Sequence, residues 1–234
     1  MLVFLVAWRA GLGRFLQAAN VWAVLGLAAY MLGFSFAYVA LDAGTGALVL
    51  FGGVQITMFL GAVLAGKSPK LGQWIGSGIA FLGLVYLLAP GAAAPDLMSA
   101  ALMGVAAVGW GIYSLMGQKA SNPLFATAGN FCVALPIGLV AWLLAPTAPM
   151  EASGVAFAVA SGAVTSALGY ALWYQVLPQL NTATAAVAQL SVPMIAAAAG
   201  FLLLAEPLTL TFVVASLLVL GGIGVAVWAA SGSS

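Results

Sequence analysis

The side chains in this sequence that could do chemistry inside its apolar stretches are neutral. Between 97 and 118, Trp110, Tyr113, Ser114 and Gly117 recur at steps of three and four, the spacing that shares one face of a helix. Between 153 and 178, Thr165, Ser166, Gly169, Tyr170 and Trp173 make a second stripe of the same kind. Gln55, Asn130 and Gln189 add three carboxamides, each inside an apolar run. Hydroxyls and carboxamides donate and accept hydrogen bonds, the indole N–H donates them, and aromatic faces attract cations. Such groups suit a pocket for small organic molecules with hydrogen-bonding functions, organic cations among them.

Each group also has a plainer use. Gln55 and Gln189 can bond to neighbouring helices as packing glue. Tyr and Trp mark membrane interfaces, and Trp22 and Tyr174 read as such markers. Cys132 reads as a small core residue, and Pro193 as a kink or loosening of its helix near the site.

What the apolar runs lack narrows the chemistry further. No Asp, Glu, Lys or Arg stands near the middle of any of them. A charge there marks a proton relay, a counter-ion or an ion path. Its absence argues against a proton pump, a retinal protein with its buried lysine, and a protease with paired intramembrane aspartates. With no histidine in the chain, His-based catalysis and His-ligated metal or haem sites are excluded. No metal, cofactor or enzymatic activity is expected. The single cysteine can form no internal disulfide, and a net charge of +1 implies no nucleic-acid surface.

The elements that carry these residues follow from composition. Of 234 residues, 65% are hydrophobic and 4% charged, with a mean hydropathy of +1.21. A soluble domain carries about 25% charged residues, so this chain reads as an all-α, polytopic membrane helix bundle. At about 20 residues per span, the apolar runs predict eight full helices, near 21–41, 44–66, 70–89, 97–118, 123–145, 153–178, 182–205 and 208–230. A stub, MLVFLVAW, precedes them and ends at Arg9 and Arg14. Its charges follow the apolar run, unlike those of a signal peptide. The connections are short and rich in Gly, Pro, Asn and Ser.

The charges sort by loop. Arg9, Arg14, Lys67, Lys70 and Lys119 fall on one face of this topology; Asp42, Asp96, Glu151 and Glu206 fall on the other. The positive-inside rule puts the basic face, and with it the C-terminus, in the cytoplasm. Glu206 reads as an outer turn at the N-terminus of the last helix, where an acid is favourable.

An offset of 138 residues lays Gly83 on Gly221, Ser68 on Glu206, Gln55 on Pro193 and Phe36 on Tyr174 without a gap. Helix 21–41 starts inside and helix 153–178 starts outside, so the halves read as inverted copies, an architecture common among secondary transporters. The GxxxG at Gly72–Gly76 and the cluster Gly221, Gly222 and Gly224 allow close packing, within one subunit or between the subunits of a homodimer.

The segments AVAQLSVPMIAAAAGFLLLAEPLTLTFVVASLLVLGGIGVAV and FGGVQITMFLGAVLAGKSPKLGQWIGSGIAFLGLVYLLAPG carry a family resemblance. GVAAVGWGIYSLMGQKASNPLFATAGNF and SGAVTSALGYALWYQVLPQLNT add to it. On these, the chain resembles an EamA-type member of the drug/metabolite transporter superfamily. The resemblance implies ten helices in two inverted five-helix repeats, of which 1–91 would be an incomplete first and 92–234 the second. It implies export of a small organic solute or metabolite across a bacterial inner membrane. Pro193, Glu206 and Gly221 keep the family's spacing; Gln55 and Ser68 depart from it in the first repeat. On that pattern the first helix and most of the second are missing. This motivates a rival reading, a non-transporting membrane fragment or a membrane-embedded interaction protein.

Overall fold

A computed structural model describes residues 16–66, 68–89, 95–117, 120–145, 151–166, 169, 172 and 182–231. Eight helices are described, and no strand occurs among these residues. They are α1 (Val21–Ala37), α2 (Ala43–Leu64), α3 (Leu71–Leu88), α4 (Leu97–Gly117), α5 (Pro123–Leu144), α6 (Ala152–Val159), α7 (Thr182–Leu204) and α8 (Leu210–Ser231). The α6 segment continues as a π-helical stretch over Ala160–Ser166.

Their starts follow from the sequence. Asn20 caps α1, its side chain accepting the Trp22 and Ala23 N–H groups at 3.0 and 3.1 Å. Asp96 takes the Ser99 N–H at 2.8 Å before α4, and Asn122 takes the Phe125 N–H at 3.1 Å before α5, which opens on Pro123. Thr209 caps α8 through the Phe212 N–H at 3.1 Å.

Among the described residues, five helices are long and apolar enough to cross a membrane: Ala43–Leu64, Leu71–Leu88, Leu97–Gly117, Leu124–Leu144 and Leu210–Ser231. Val21–Ala37, Ala152–Ser166 and Ser191–Leu204 are apolar but shorter as described. Where eight full spans were expected, eight helices are described, and five of them are of spanning length. The run expected as one helix over 153–178 turns from α- to π-helical at Ala160, where ASGAVTS supplies small residues with little to pack.

Glycines set the closest approaches. Along α3 and α8, Gly72 faces Ala229, Gly76 faces Ala226 and Gly222, and Gly83 faces Val219. A methyl added at Gly83 would sit 2.9 Å from the Val219 backbone nitrogen. The numbering runs in opposite directions, so α3 and α8 are antiparallel with their backbones nearly touching. Gly72 and Gly76 are therefore spent inside one chain. In the same way Gly26 and Gly33 of α1 lie on Gly109 and Leu102 of α4, again antiparallel. Gly53, Thr57 and Gly61 of α2 meet Ala107, Gly111 and Leu115 of α4 in parallel.

Helix α2 is the hub, packing on α3, α4, α7 and α8. Its Leu48, Val49, Leu50 and Val54 share a core with Leu84 and Leu87 of α3, Met103 of α4, and Val219 and Ile223 of α8. Burying one such side chain contributes about 1.5–3 kcal/mol relative to water. Between helices and lipid the driving force is close packing instead, which is why small residues recur at the closest contacts, between α3 and α8, α1 and α4, and α2 and α4. By these directions α2, α4 and α8 all start at one end of the bundle. That end holds Asp42, Asp96 and Glu206, while Lys70 lies at the other.

Candidate functional site

Two arrangements stand out, an aromatic file along α1 and α4 and a carboxylate at the acidic end. Tyr30, Phe34 and Tyr38 recur every four residues and so share one face of the chain leaving α1. The ring centres of Tyr38 and Phe34 are 4.6 Å apart, and those of Phe34 and Tyr30 are 5.5 Å apart. Tyr30 then meets Trp110 of α4 at 4.7 Å, and Trp110 meets Tyr113 at 5.3 Å. Five rings thus form a continuous file of tilted and edge-on contacts, the geometry aromatic pairs favour.

Both ends of the file are anchored. The Tyr113 hydroxyl, buried, donates to Thr127 Oγ1 of α5 at 3.0 Å. The Tyr38 hydroxyl donates to the Ala43 carbonyl at 3.2 Å. Trp110 and the three rings next to it are half-buried, so the file is a partly open wall. Such a wall can stack flat organic groups or face a cation.

The expected site residues separate into three sets. Trp110 and Tyr113 are brought together, as their spacing implied. Asn130 is buried, and its Oδ1 accepts the Asn20 N–H at 3.0 Å, tying α5 to the start of α1. Gln55 is half-buried, and its side chain makes no hydrogen bond with any described residue. At about 100° per residue, it lies roughly 200° round α2 from Gly53, on the side away from α4 and the aromatic file. Gln189 falls on α7, but its side chain lies outside the described residues, as do Tyr170 and Trp173 entirely. On the π-helical stretch, Thr165 spends its hydroxyl on the Ser161 carbonyl at 2.7 Å.

The sequence reading missed Tyr30, Phe34 and Tyr38, whose four-residue step was the available signal. It also placed the Glu206 carboxylate on the wrong helix. Thr209 caps α8, whereas Glu206 Oε1 and Oε2 accept the Ala43 N–H, at 2.8 and 2.9 Å, at the start of α2. A shallow depression above this contact is lined by Asp42, Thr45, Glu206, Thr209 and Phe212. Partial burial, and then the nearby Glu206 charge, raise the Asp42 carboxyl above its usual range. Among the described residues no cluster of His, Cys, Asp or Glu could hold a metal ion.

Comparison with known proteins agrees with a membrane transporter. The EamA-like transporter family matches residues 97–228. An uncharacterized protein of Pseudomonas aeruginosa is 46% identical over 195 residues, 83% of this chain and 68% of its own length. An uncharacterized transporter of Archaeoglobus fulgidus is 29% identical over 87% of this chain and 75% of its own. A "Probable terminal-alkyne amino-acid exporter" of Streptantibioticus cattleyicolor is 28% identical over 77% of this chain and 63% of its own. A solved crystal structure, 18% identical, superposes over 100% of this chain and 84% of that one with a TM-score of 0.63. At that identity the likeness concerns the fold alone.

Proposed function

The chain belongs to the EamA-like transporter family, and from that premise we propose that it moves small organic solutes or metabolites by alternating access. As a multi-pass membrane transporter, it faces lipid on its outside and a small-molecule substrate within. The observation that carries the substrate class is the aromatic file from Tyr38 to Tyr113, a neutral wall with hydroxyls at both ends. It suits flat or cationic organic groups better than inorganic ions, which need rings of charge or carbonyls. The exporter of Streptantibioticus cattleyicolor makes amino acids the first solutes to try and export the first direction.

In this reading, residues 1–91 belong to one repeat and 92–234 to its inverted copy. Three features support that division. The family match begins at residue 97, α2 packs on α3 as α7 packs on α8, and α2 also packs on α7 across the would-be axis. Trp110, Tyr113, Tyr170, Trp173, Gln189 and Asn130 would contribute to binding, while Gln55, on the other side of α2, would stand apart from this wall. The protein would sit in a bacterial cytoplasmic membrane with its C-terminus inside.

The test is flux in reconstituted vesicles, screening amino acids, nucleosides, sugars and toxic cations. Trp110→Ala and Gln189→Ala should each lower flux of the transported solute about tenfold, the loss of one aromatic or hydrogen-bonding contact, while insertion is unchanged. Undiminished flux in both would remove this pocket.

A further inference from the structure

The turn after α7 makes a long-range contact that neither solute binding nor core packing accounts for. Glu206 holds the Ala43 N–H with both carboxylate oxygens, 163 positions away along the chain. A charged acceptor on a backbone N–H is a strong hydrogen bond. This one also sits at the positive end of the α2 dipole.

Three local features aim the carboxylate there. Ala205 adopts a left-handed φ of 52°, unusual for a residue with a side chain, and this folds the turn back over α7. The Glu206 N–H then donates to the Gly200 carbonyl at 3.1 Å. Gly200 itself has no Cβ, and a methyl there would land on the Glu206 carboxylate. Because Thr209 already caps α8, Glu206 has no duty toward its own helix. On the other side of the contact, Gly44 lies flat against Ala197 of α7, and Tyr38 holds the Ala43 carbonyl. The groups facing Glu206 are Asp42, Thr45, Tyr38 and Thr209; no cation lies among the described residues there.

We propose that Glu206 is the catch of a gate: it shuts the acidic end by clasping α2 to the α7–α8 turn, and must release Ala43 before that end opens. The proposal rests on the alternating-access reading above. The chemistry suits a switch. On release, water can replace the carboxylate at the Ala43 N–H and solvate the freed charge, so the contact breaks without stranding a buried group. A packed aliphatic seam would offer no such exchange.

The test needs no solute. In a Cys132→Ser background, Ala47→Cys places a thiol one turn beneath Ala43, at a site now 4% exposed. A membrane-impermeant maleimide is added from the acidic side of reconstituted vesicles. Glu206→Ala should raise the labelling rate roughly tenfold or more, the value of one charge-assisted hydrogen bond. Gly200→Ala keeps the acid but fills its seat, and should act in the same direction. Glu206→Gln, an acceptor without charge, should fall between. A control thiol from Ala229→Cys, against Gly72 at the opposite end and labelled with the same reagent added from the basic side, should react at an unchanged rate.

Equal labelling of Ala47→Cys in the parent, Glu206→Ala and Gly200→Ala overturns the clasp. So does a matching rise at the control, which would mean general loosening. If Glu206→Ala fails to insert, Gly200→Ala and Glu206→Gln decide the question. Faster labelling with no solute moved in any screen keeps the clasp and removes the transport reading. Flux that survives with unchanged labelling does the reverse.

Discussion

The two turns that the 138-residue offset lays over one another have become different devices. The α2–α3 turn closes on itself. Gly66 takes the left-handed φ of 79° that the reversal needs, with nothing within 4 Å of where a side chain would be. Its N–H donates to the Val63 carbonyl at 2.9 Å, and the Gln73 side chain takes the Lys70 N–H at 2.9 Å. The α7–α8 turn puts Ala205, not glycine, in the left-handed region and sends the next side chain out of its hairpin to another helix. The two turns thus serve opposite ends of the bundle unequally. Among the described residues the side-chain hydrogen bond of the basic turn stays within its own hairpin, whereas that of the acidic turn reaches across the molecule. Under the alternating-access reading proposed above, such an inequality lets one end be shut while the other is open.

The largest test of that contrast exchanges the two left-handed residues. Gly66→Ala should cost about 1–2 kcal/mol of stability, because the turn must now carry a side chain at positive φ. Ala205→Gly relieves that strain but adds chain entropy to the unfolded state, so a gain of at most about 1 kcal/mol is expected. Thermal unfolding in detergent reads both. Equal and small changes would mean that neither turn is strained and that the contrast at Ala205 is illusory.

A smaller effect separates the turns by what their polar side chains serve. Gln73→Ala removes a cap on an exposed helix start and should cost about 0.5 kcal/mol. It should leave labelling of Ala47→Cys at the acidic end unchanged, since its bond never leaves the α2–α3 hairpin. Faster labelling there would couple the two ends and dissolve the distinction.

How much of this was legible in the sequence depended on range. Helix existence was, because apolar runs of about 20 residues leave few alternatives. The sorting of Asp42, Asp96 and Glu206 to one end and Lys70 to the other was legible too, since charges cannot rest in hydrocarbon. Trp110 and Tyr113 were found together because helical spacing is local. Which neighbour a face meets was not, because these helices are apolar all round and their sequence marks no preferred side. Gln55 therefore looked like a companion of Trp110 and lies on the far side of α2. Tyr30, Phe34 and Tyr38 carried a clear four-residue step, but only the fold shows that they continue the file begun by Trp110. The Glu206–Ala43 contact joins residues in opposite halves, and no local pattern announces it.

The smallest effect concerns Asp42, which shares the acidic end with Glu206. Two influences compete there. The α2 dipole favours a negative charge at its start, whereas partial burial and the Glu206 charge oppose one. The opposing pair wins, for the Asp42 carboxyl is raised from its ordinary value. The folded protein therefore holds the Asp42 proton more tightly than the unfolded chain does. Stability from this group is present at low pH and falls as pH rises through its raised pKa. Asp42→Asn should then raise the unfolding midpoint slightly at neutral pH and leave it unchanged near pH 3, where the native acid is already protonated. It should also slow labelling of Ala47→Cys at neutral pH, because a neutral neighbour no longer pushes Glu206 off Ala43. A faster rate would mean that Asp42 holds the α2 start in place, and the repulsion at this end would not be what limits the clasp.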